Sequence, residues 1–357
     1  MGLLVLMCLL QLTRLSAADN KIDTHSHFFP QFYRKILLDN NIRPGGALVP
    51  EWSASEHLEF MDKTNISLST LSISTPGAVL REGYPVEESR KLARQLNEFG
   101  YMLSKEYPDR FRFLATLTLP DVEGSVAEAI YALDNLKAAG VVLLASSSGE
   151  VLGSPLWKPL YAELDKRNAT VFVHPSQCPC PQQDETIDTC NTDVPAYVVD
   201  FLLDTTRAAF NLVLKNVTTD YPNVKFLLSH GGGFLPFAAS RLAGGLHILA
   251  SRNEEWSLAQ LRRFYVDVAL TANDFALPSI LSLLSPTQIT FGSDYPFARK
   301  ELIMSTCLYL DAYIEQNLAP AALQQIDFDN AFRLFSHVLT EDSLRHCEQP
   351  LSCAATY

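Results

Sequence analysis

The chain has 357 residues, 47% of them apolar and 19% charged, which is enough to bury a large core and is not the composition of an intrinsically disordered chain. Its net charge of −12 leaves no basic stripe to neutralise phosphates, so nucleic acid is excluded as a partner. The length would suit about two ordinary domains, but α/β barrels run longer as one, and no repeat, linker or low-complexity segment divides this sequence.

Leu3 to Leu12 are almost all apolar, and Ser16-Ala17-Ala18 follows with small residues. This reads as a secretory signal peptide cleaved after Ala18; the run is too short for a bilayer span. The absence of Lys or Arg ahead of it departs from the usual pattern, and the alternative is a cytosolic protein with an apolar N-terminus. The expected organisation is a removed segment 1–18, one barrel domain 19–340 and a tail 341–357. Short runs rich in β-branched, leucine or aromatic residues predict strands over 21–25, 67–74, 111–118, 140–146, 170–174, 224–229, 263–269 and 287–292. Helical patterns fall between them over 87–106, 122–139, 155–168, 194–220 and 257–262, and after the last strand over 302–317 and 320–335. Eight strands alternating with helices predict a (β/α)₈ barrel. Long loops follow the first strand (28–52) and the fifth (175–195). At the C-terminal face such loops cover the site, or they are insertions that serve a homodimer.

The strand ends carry the chemistry. Asp23-Thr24-His25-Ser26-His27 closes the first with two histidines at i, i+2, which a strand points to the same side, so that both can chelate one divalent cation. His174 ends the fifth and is a candidate third ligand. Asp294, in Gly292-Ser293-Asp294-Tyr295-Pro296, follows the eighth, where a buried carboxylate needs a cation or hydrogen-bond donors. His230 opens His230-Gly231-Gly232-Gly233 after the sixth strand. It is read as an acid–base group beside the metal, with a further ligand as the alternative. The fourth strand ends Leu143-Leu144-Ala145-Ser146-Ser147, with no Lys or Glu to bridge two metals, so a mononuclear site is expected. Phe28, Trp52 and Phe297 are candidate walls for a planar ring, and Arg43 is a candidate partner for a substrate anion. His57, His247, His337 and His346 fall in helical or tail patterns and read as structural or surface residues.

Asn65-Ile66-Ser67, Asn168-Ala169-Thr170 and Asn216-Val217-Thr218 are glycosylation triplets. Removal of Cys8 with the signal leaves six cysteines, an even number suited to disulfides in an oxidising compartment. Cys178, Cys180 and Cys190 cluster in one loop, where a zinc knot is the competing reading.

Taken together, Asp23-Thr24-His25-Ser26-His27-Phe28, His174-Pro175, Ser229-His230-Gly231-Gly232-Gly233-Phe234-Leu235-Pro236 and Phe291-Gly292-Ser293-Asp294-Tyr295-Pro296-Phe297 resemble the amidohydrolase superfamily, and within it the branch of aminocarboxymuconate-semialdehyde, γ-resorcylate and fungal 6-methylsalicylate decarboxylases. The resemblance runs from Lys21 to Phe335. It implies His25, His27, His174 and Asp294 as ligands of one divalent metal, Zn²⁺ or else Mn²⁺, with His230 as the catalytic histidine. Aminocarboxymuconate-semialdehyde decarboxylase carries an arginine shortly before the tryptophan of its first long loop. Here Gly46-Ala47-Leu48-Val49-Pro50-Glu51-Trp52 has none, which favours a mono-acid.

The expected function is therefore metal-dependent, non-oxidative decarboxylation of a small hydroxylated aromatic acid, with 6-methylsalicylate as the leading substrate and no membrane span. γ-Resorcylate and aminocarboxymuconate semialdehyde are the other candidate acids. A hydrolase of a cyclic ester or amide would instead use metal-bound hydroxide, and product analysis separates it from a decarboxylase. A catalytically dead binding protein would keep its function without metal.

Overall fold

The computed structural model describes residues 20–176 and 194–339. The signal-like segment, the tail from 340 onward and every cysteine except Cys307 lie outside the described residues; Cys307 itself is buried and free. Eight strands form the barrel: β1 (Lys21–His27), β2 (Ile66–Ser72), β3 (Phe111–Thr116), β4 (Gly140–Leu144), β5 (Thr170–His174), β6 (Lys225–Leu228), β7 (Tyr265–Asp267) and β8 (Ile289–Thr290). Each pairs in parallel with its neighbour in chain order. The sheet closes through the segment after β8: Thr24 N donates to Phe291 O at 3.0 Å, His27 N donates to Tyr295 O at 2.7 Å, and Ser26 bridges Tyr295.

Inside the barrel, Ile22, Leu68, Leu114, Val142, Phe172 and Leu227, one from each of β1 to β6, pack with Leu334, Phe335 and Leu339 of the C-terminal segment. This apolar plug floors the barrel. Simple alternation would turn the β1 histidines away from Ile22, because positions 22 and 27 differ by an odd number. The register of β1 on β2 shifts between Asp23 and Ser26, and that irregularity switches parity. Ile22 therefore packs in the floor while both histidines point in above it.

The remaining elements differ from expectation in instructive places. The loop 28–52 contains a helix, Gln31–Asp39, that buries Tyr33 and Leu37. Helices Leu235–Ala250 and Ala276–Leu283 were not expected at all. The helix expected over 122–139 stops at Asp134, and that over 194–220 splits into Asp200–Leu214 and Val217–Asp220. The fourth strand ends at Leu144, and Ser146–Ser147 turns back on Glu150–Val151 as a small antiparallel hairpin. Its turn needs Ser148 and Gly149 at positive φ (47° and 82°), which a continuing strand forbids. No described helix is long and apolar enough to cross a membrane.

Candidate active site

The C-terminal mouth of the barrel brings together His25 and His27 from β1, His174 from β5, His230 just after β6, Asp267 at the end of β7 and Asp294 just after β8. The ring centroids of His25 lie 5.2 Å from His27, 5.6 Å from His174 and 4.8 Å from His230, and those of His27 and His174 are 5.0 Å apart. One ligating atom from each of His25, His27 and His174 lies within 4.8 Å of the others, and the same holds for His25, His230 and Asp294. The Phe172 ring, 4.8 Å from that of His25, forms the floor.

All four rings are anchored by the same nitrogen. Nδ1 of His25 faces Asp267 Oδ2 at 2.9 Å, that of His27 faces Ser72 O at 3.2 Å, that of His174 faces Pro175 O at 2.7 Å and that of His230 faces Ala269 O at 3.1 Å. A carbonyl or carboxylate oxygen only accepts, so Nδ1 carries the hydrogen in each ring, and a neutral ring then keeps its lone pair on Nε2. Burial holds the His25 and His174 imidazoles well below the usual histidine range, so both are neutral at pH 7. Nε2 of His25 and of His27 is buried without a hydrogen-bond partner, and Asp294 Oδ1 stands 3.5 Å and 3.3 Å from them. Lone pairs and a carboxylate turned on one another with no donor between them repel. A cation relieves that repulsion and gives both orphaned nitrogens a partner, so the donor set fits a divalent metal with N/O ligands.

Two of these residues sit in the left-handed region: His230 at φ 52° and Asp294 at φ 60°. That backbone is uncommon without glycine and concentrates at functional sites. Here it is held by directed hydrogen bonds. Asp294 N donates to His25 O at 2.7 Å, and His230 N donates to Asp267 Oδ1 at 3.0 Å. Asp23 adds a second brace: its Oδ1 accepts from His25 N and Ser293 N, each at 3.0 Å, and its Oδ2 from Ser293 Oγ at 2.6 Å. Gly292 leaves room for this crossing of β1 and β8, since a Cβ there would stand 2.9 Å from His25 Cβ and 3.0 Å from Asp267 Cβ.

Asp267 escaped the sequence reading. One oxygen orients the His25 ring and the other fixes the backbone of His230 and of Ala269 (2.9 Å). Burial pushes its carboxyl up to about 6. The signal was present: Tyr265-Val266-Asp267-Val268 puts a carboxylate into an otherwise apolar strand, and a buried carboxylate needs partners. Asp267→Asn should keep the fold but leave His25 free to change tautomer. Metal affinity is expected to fall about 10- to 100-fold, measured by competition with a chromogenic chelator.

Of the candidate wall residues, Phe297 stands edge-on to His27, ring centroids 5.4 Å apart. Phe28 is buried, and its ring partners are Trp52 and Phe99 rather than the histidines. Alternation along β1 explains this: with His27 pointing in, Phe28 points out toward the helices. Trp52 Nε1 donates to His57 Nδ1 at 3.0 Å, so both belong to that outer packing, and His57 is structural as expected. Arg43 is exposed in the first long loop.

Inward-facing imidazoles and a carboxylate at the C-terminal mouth of a closed parallel barrel define a metal-dependent amidohydrolase-type enzyme. A family model described as amidohydrolase matches residues 22–336, and the chain belongs to that family. It is 36% identical over 293 residues to a decarboxylase of Penicillium terrestre, covering 80% of this chain and 86% of that one. With the 6-methylsalicylic acid decarboxylase of Penicillium expansum it shares 30% identity, over 88% of this chain and 96% of the other. A solved amidohydrolase superposes with a TM-score of 0.79 at 30% identity, covering 88% and 99% of the two chains. A dihydroxybenzoic acid decarboxylase from Polaromonas, solved with manganese and 2-nitroresorcinol, superposes at 0.74 and 18% identity, over 91% and 99%; at that identity the likeness speaks for the fold alone.

Proposed function

We propose that this protein is a metal-dependent, non-oxidative decarboxylase of a hydroxylated aromatic acid, converting 6-methylsalicylate to 3-methylphenol and CO₂. The observation that carries the reading is the tautomer pattern: four rings are pinned through Nδ1, and Nε2 of His25 and of His27 is left facing one buried carboxylate, Asp294. His25, His27, His174 and Asp294 are the proposed ligands of one ion. Zinc is the proposed identity and manganese the alternative, because N/O ligands alone do not separate them. When bound, the ion supplies positive charge against the substrate's carboxylate and phenolic oxygens.

The chain's own residues do the rest. Expelling CO₂ directly would leave aryl-anion charge on the ring carbon. A proton placed on that carbon first makes the ring electrophilic. The bond to the carboxylate then breaks, its electron pair restores the aromatic ring, and CO₂ departs. The donor must stand beside the metal and over the ring; Asp294 and His230 are the two candidates, and Asp294 is the proposed donor, with His230 keeping it or a bound water correctly protonated. Phe297 shields the His27 side from water. The first loop lacks an arginine next to Trp52, and Arg43 is exposed, which supports a mono-acid over a dicarboxylate.

The test is a screen that follows CO₂ over salicylate, 6-methylsalicylate, orsellinate and γ-resorcylate. The highest kcat/KM is expected on 6-methylsalicylate. Ring opening of a lactone or lactam without CO₂ would establish a hydrolase instead.

Passage through the secretory pathway is proposed on the N-terminal pattern and the three triplets. Asn65 and Asn168 are exposed, and each occupies a left-handed turn just before its strand (φ 55° and 50°), at the end of the barrel away from the histidines. Glycans there would leave the mouth open. Mass spectrometry of protein from its native host should find a start near Ala18 or Asp19 and sugar on these asparagines. An intact Met1 with no glycan would place the protein in the cytosol. A homodimer is the proposed assembly, to be checked by light scattering.

A further inference from the structure

A small hollow lies beside the histidine cluster, at the C-terminal ends of β2, β3 and β4. Gly77, Ala78, Thr116, Leu119, Leu144 and Ser147 line much of it, and its volume is about 30 Å³. One water needs roughly half of that. The hollow therefore admits one methyl-sized group and no aromatic ring. Leu144 pairs in register with His174 across β4 and β5, and residues opposite each other in a parallel ladder point to the same face. The Leu144 wall of the hollow is thus the ladder neighbour of a proposed ligand. Thr116 pairs with Val142, which belongs to the barrel floor, so Thr116 also points inward. A Cβ on Gly77 would meet Leu144 Cδ1 and Thr116 Cγ2, both methyl carbons, at 3.9 Å each.

The walls are fixed. Tyr33 Oη donates to Gly77 O at 2.8 Å, Ser89 Oγ donates to Ala78 O at 3.0 Å and Ser147 Oγ donates to Leu119 O at 2.8 Å. Tyr33 and Ser89 are themselves buried. A hollow whose Gly77–Ala78 wall is braced by two buried donors and whose Leu119 wall is held by Ser147 cannot adapt cheaply to a larger or absent group, which is what discrimination between substrates requires.

We infer that the hollow between Gly77, Thr116 and Leu144 receives one small alkyl substituent of the substrate ring and is the structure's main device for choosing among hydroxylated aromatic acids. The inference rests on the decarboxylase reading and deepens it. A methyl group in a fitted apolar pocket is worth about 10- to 200-fold in kcat/KM.

The experiment measures kcat/KM for salicylate, 6-methylsalicylate and 6-ethylsalicylate on metal-loaded wild type, Gly77→Ala and Leu144→Ala, with melting curves to verify folding. Wild type should prefer 6-methylsalicylate over salicylate by at least about tenfold. Gly77→Ala places a methyl inside the hollow and should lower that ratio at least tenfold, whatever happens to the absolute rates. Because Gly77 has φ 71°, this variant carries backbone strain, and Leu144→Ala provides the independent arm. It enlarges the hollow and should raise the 6-ethyl to 6-methyl ratio. Unchanged ratios in both folded variants would overturn the inference while leaving the decarboxylase standing. No CO₂ from any salicylate with wild type would overturn the decarboxylase reading itself.

Discussion

His174→Ala should lower bound metal well below one ion per chain and abolish turnover. His174 contributes Nε2 from β5 to a cluster whose other members come from β1 and from the segments after β6 and β8. Nothing on β4 replaces it, since Leu144 is the in-register neighbour. Elemental analysis of the purified variant reads occupancy without reference to activity. Melting curves give a second measure. A ligand present at a hundredfold excess over Kd stabilises the native state by about 2.7 kcal/mol, so metal should raise the Tm of stripped wild type and leave that of the variant unmoved. Acid should act in the same direction. The His25 and His174 rings are held neutral in the fold but protonate in the unfolded chain near about pH 6.5. Their folded pKa is depressed, so the unfolded state binds more protons below that pH, and stability falls as pH drops through it. Full metal occupancy in His174→Ala would break the ligand assignment.

His230→Asn should keep the metal and lose about 10²- to 10⁴-fold in kcat. The ring lies 4.8 Å from that of His25, and its backbone is fixed by Asp267, so removing its ring leaves His25, His27 and His174 in place. Loss of metal together with activity would make His230 a ligand. Near-normal kcat would remove it from the proton path. Asp294 and His230 both place a ligating atom within 4.8 Å of one on His25, so a fall in kcat alone does not separate a lost ligand from a lost acid–base group. The comparison of metal content with kcat is therefore the informative one.

Much of the architecture was legible because buried parallel strands advertise themselves as short apolar runs. All eight fall where such runs occur, and the histidines and Asp294 at or just after their ends were legible with them. The histidines at 25 and 27 stood out because strand spacing makes them a chelate. Elements with weak patterns were not legible. Helix Leu235–Ala250 reads LPFAASRLAGGLHILA, apolar on most faces and interrupted by two adjacent glycines. Helix Gln31–Asp39 begins after Pro30 with no side-chain cap, so its start carried no signal. At the site, Asp267 was missed because a lone acidic residue in a strand announces neither its partner nor its depth, and its partner His25 is 242 positions away. Phe28 shows the reverse error. Next to two inward histidines it reads as a pocket wall, yet alternation turns it outward. The small hollow at Gly77 depends on where three strands end relative to one another, which no single segment encodes.

The most direct test of the central claim is turnover of 6-methylsalicylate in D₂O by metal-loaded protein, with CO₂ and phenol quantified together. One CO₂ is expected for each 3-methylphenol, with a single deuterium on the carbon that carried the carboxylate. Absence of CO₂, or a product that has gained the elements of water, would contradict it.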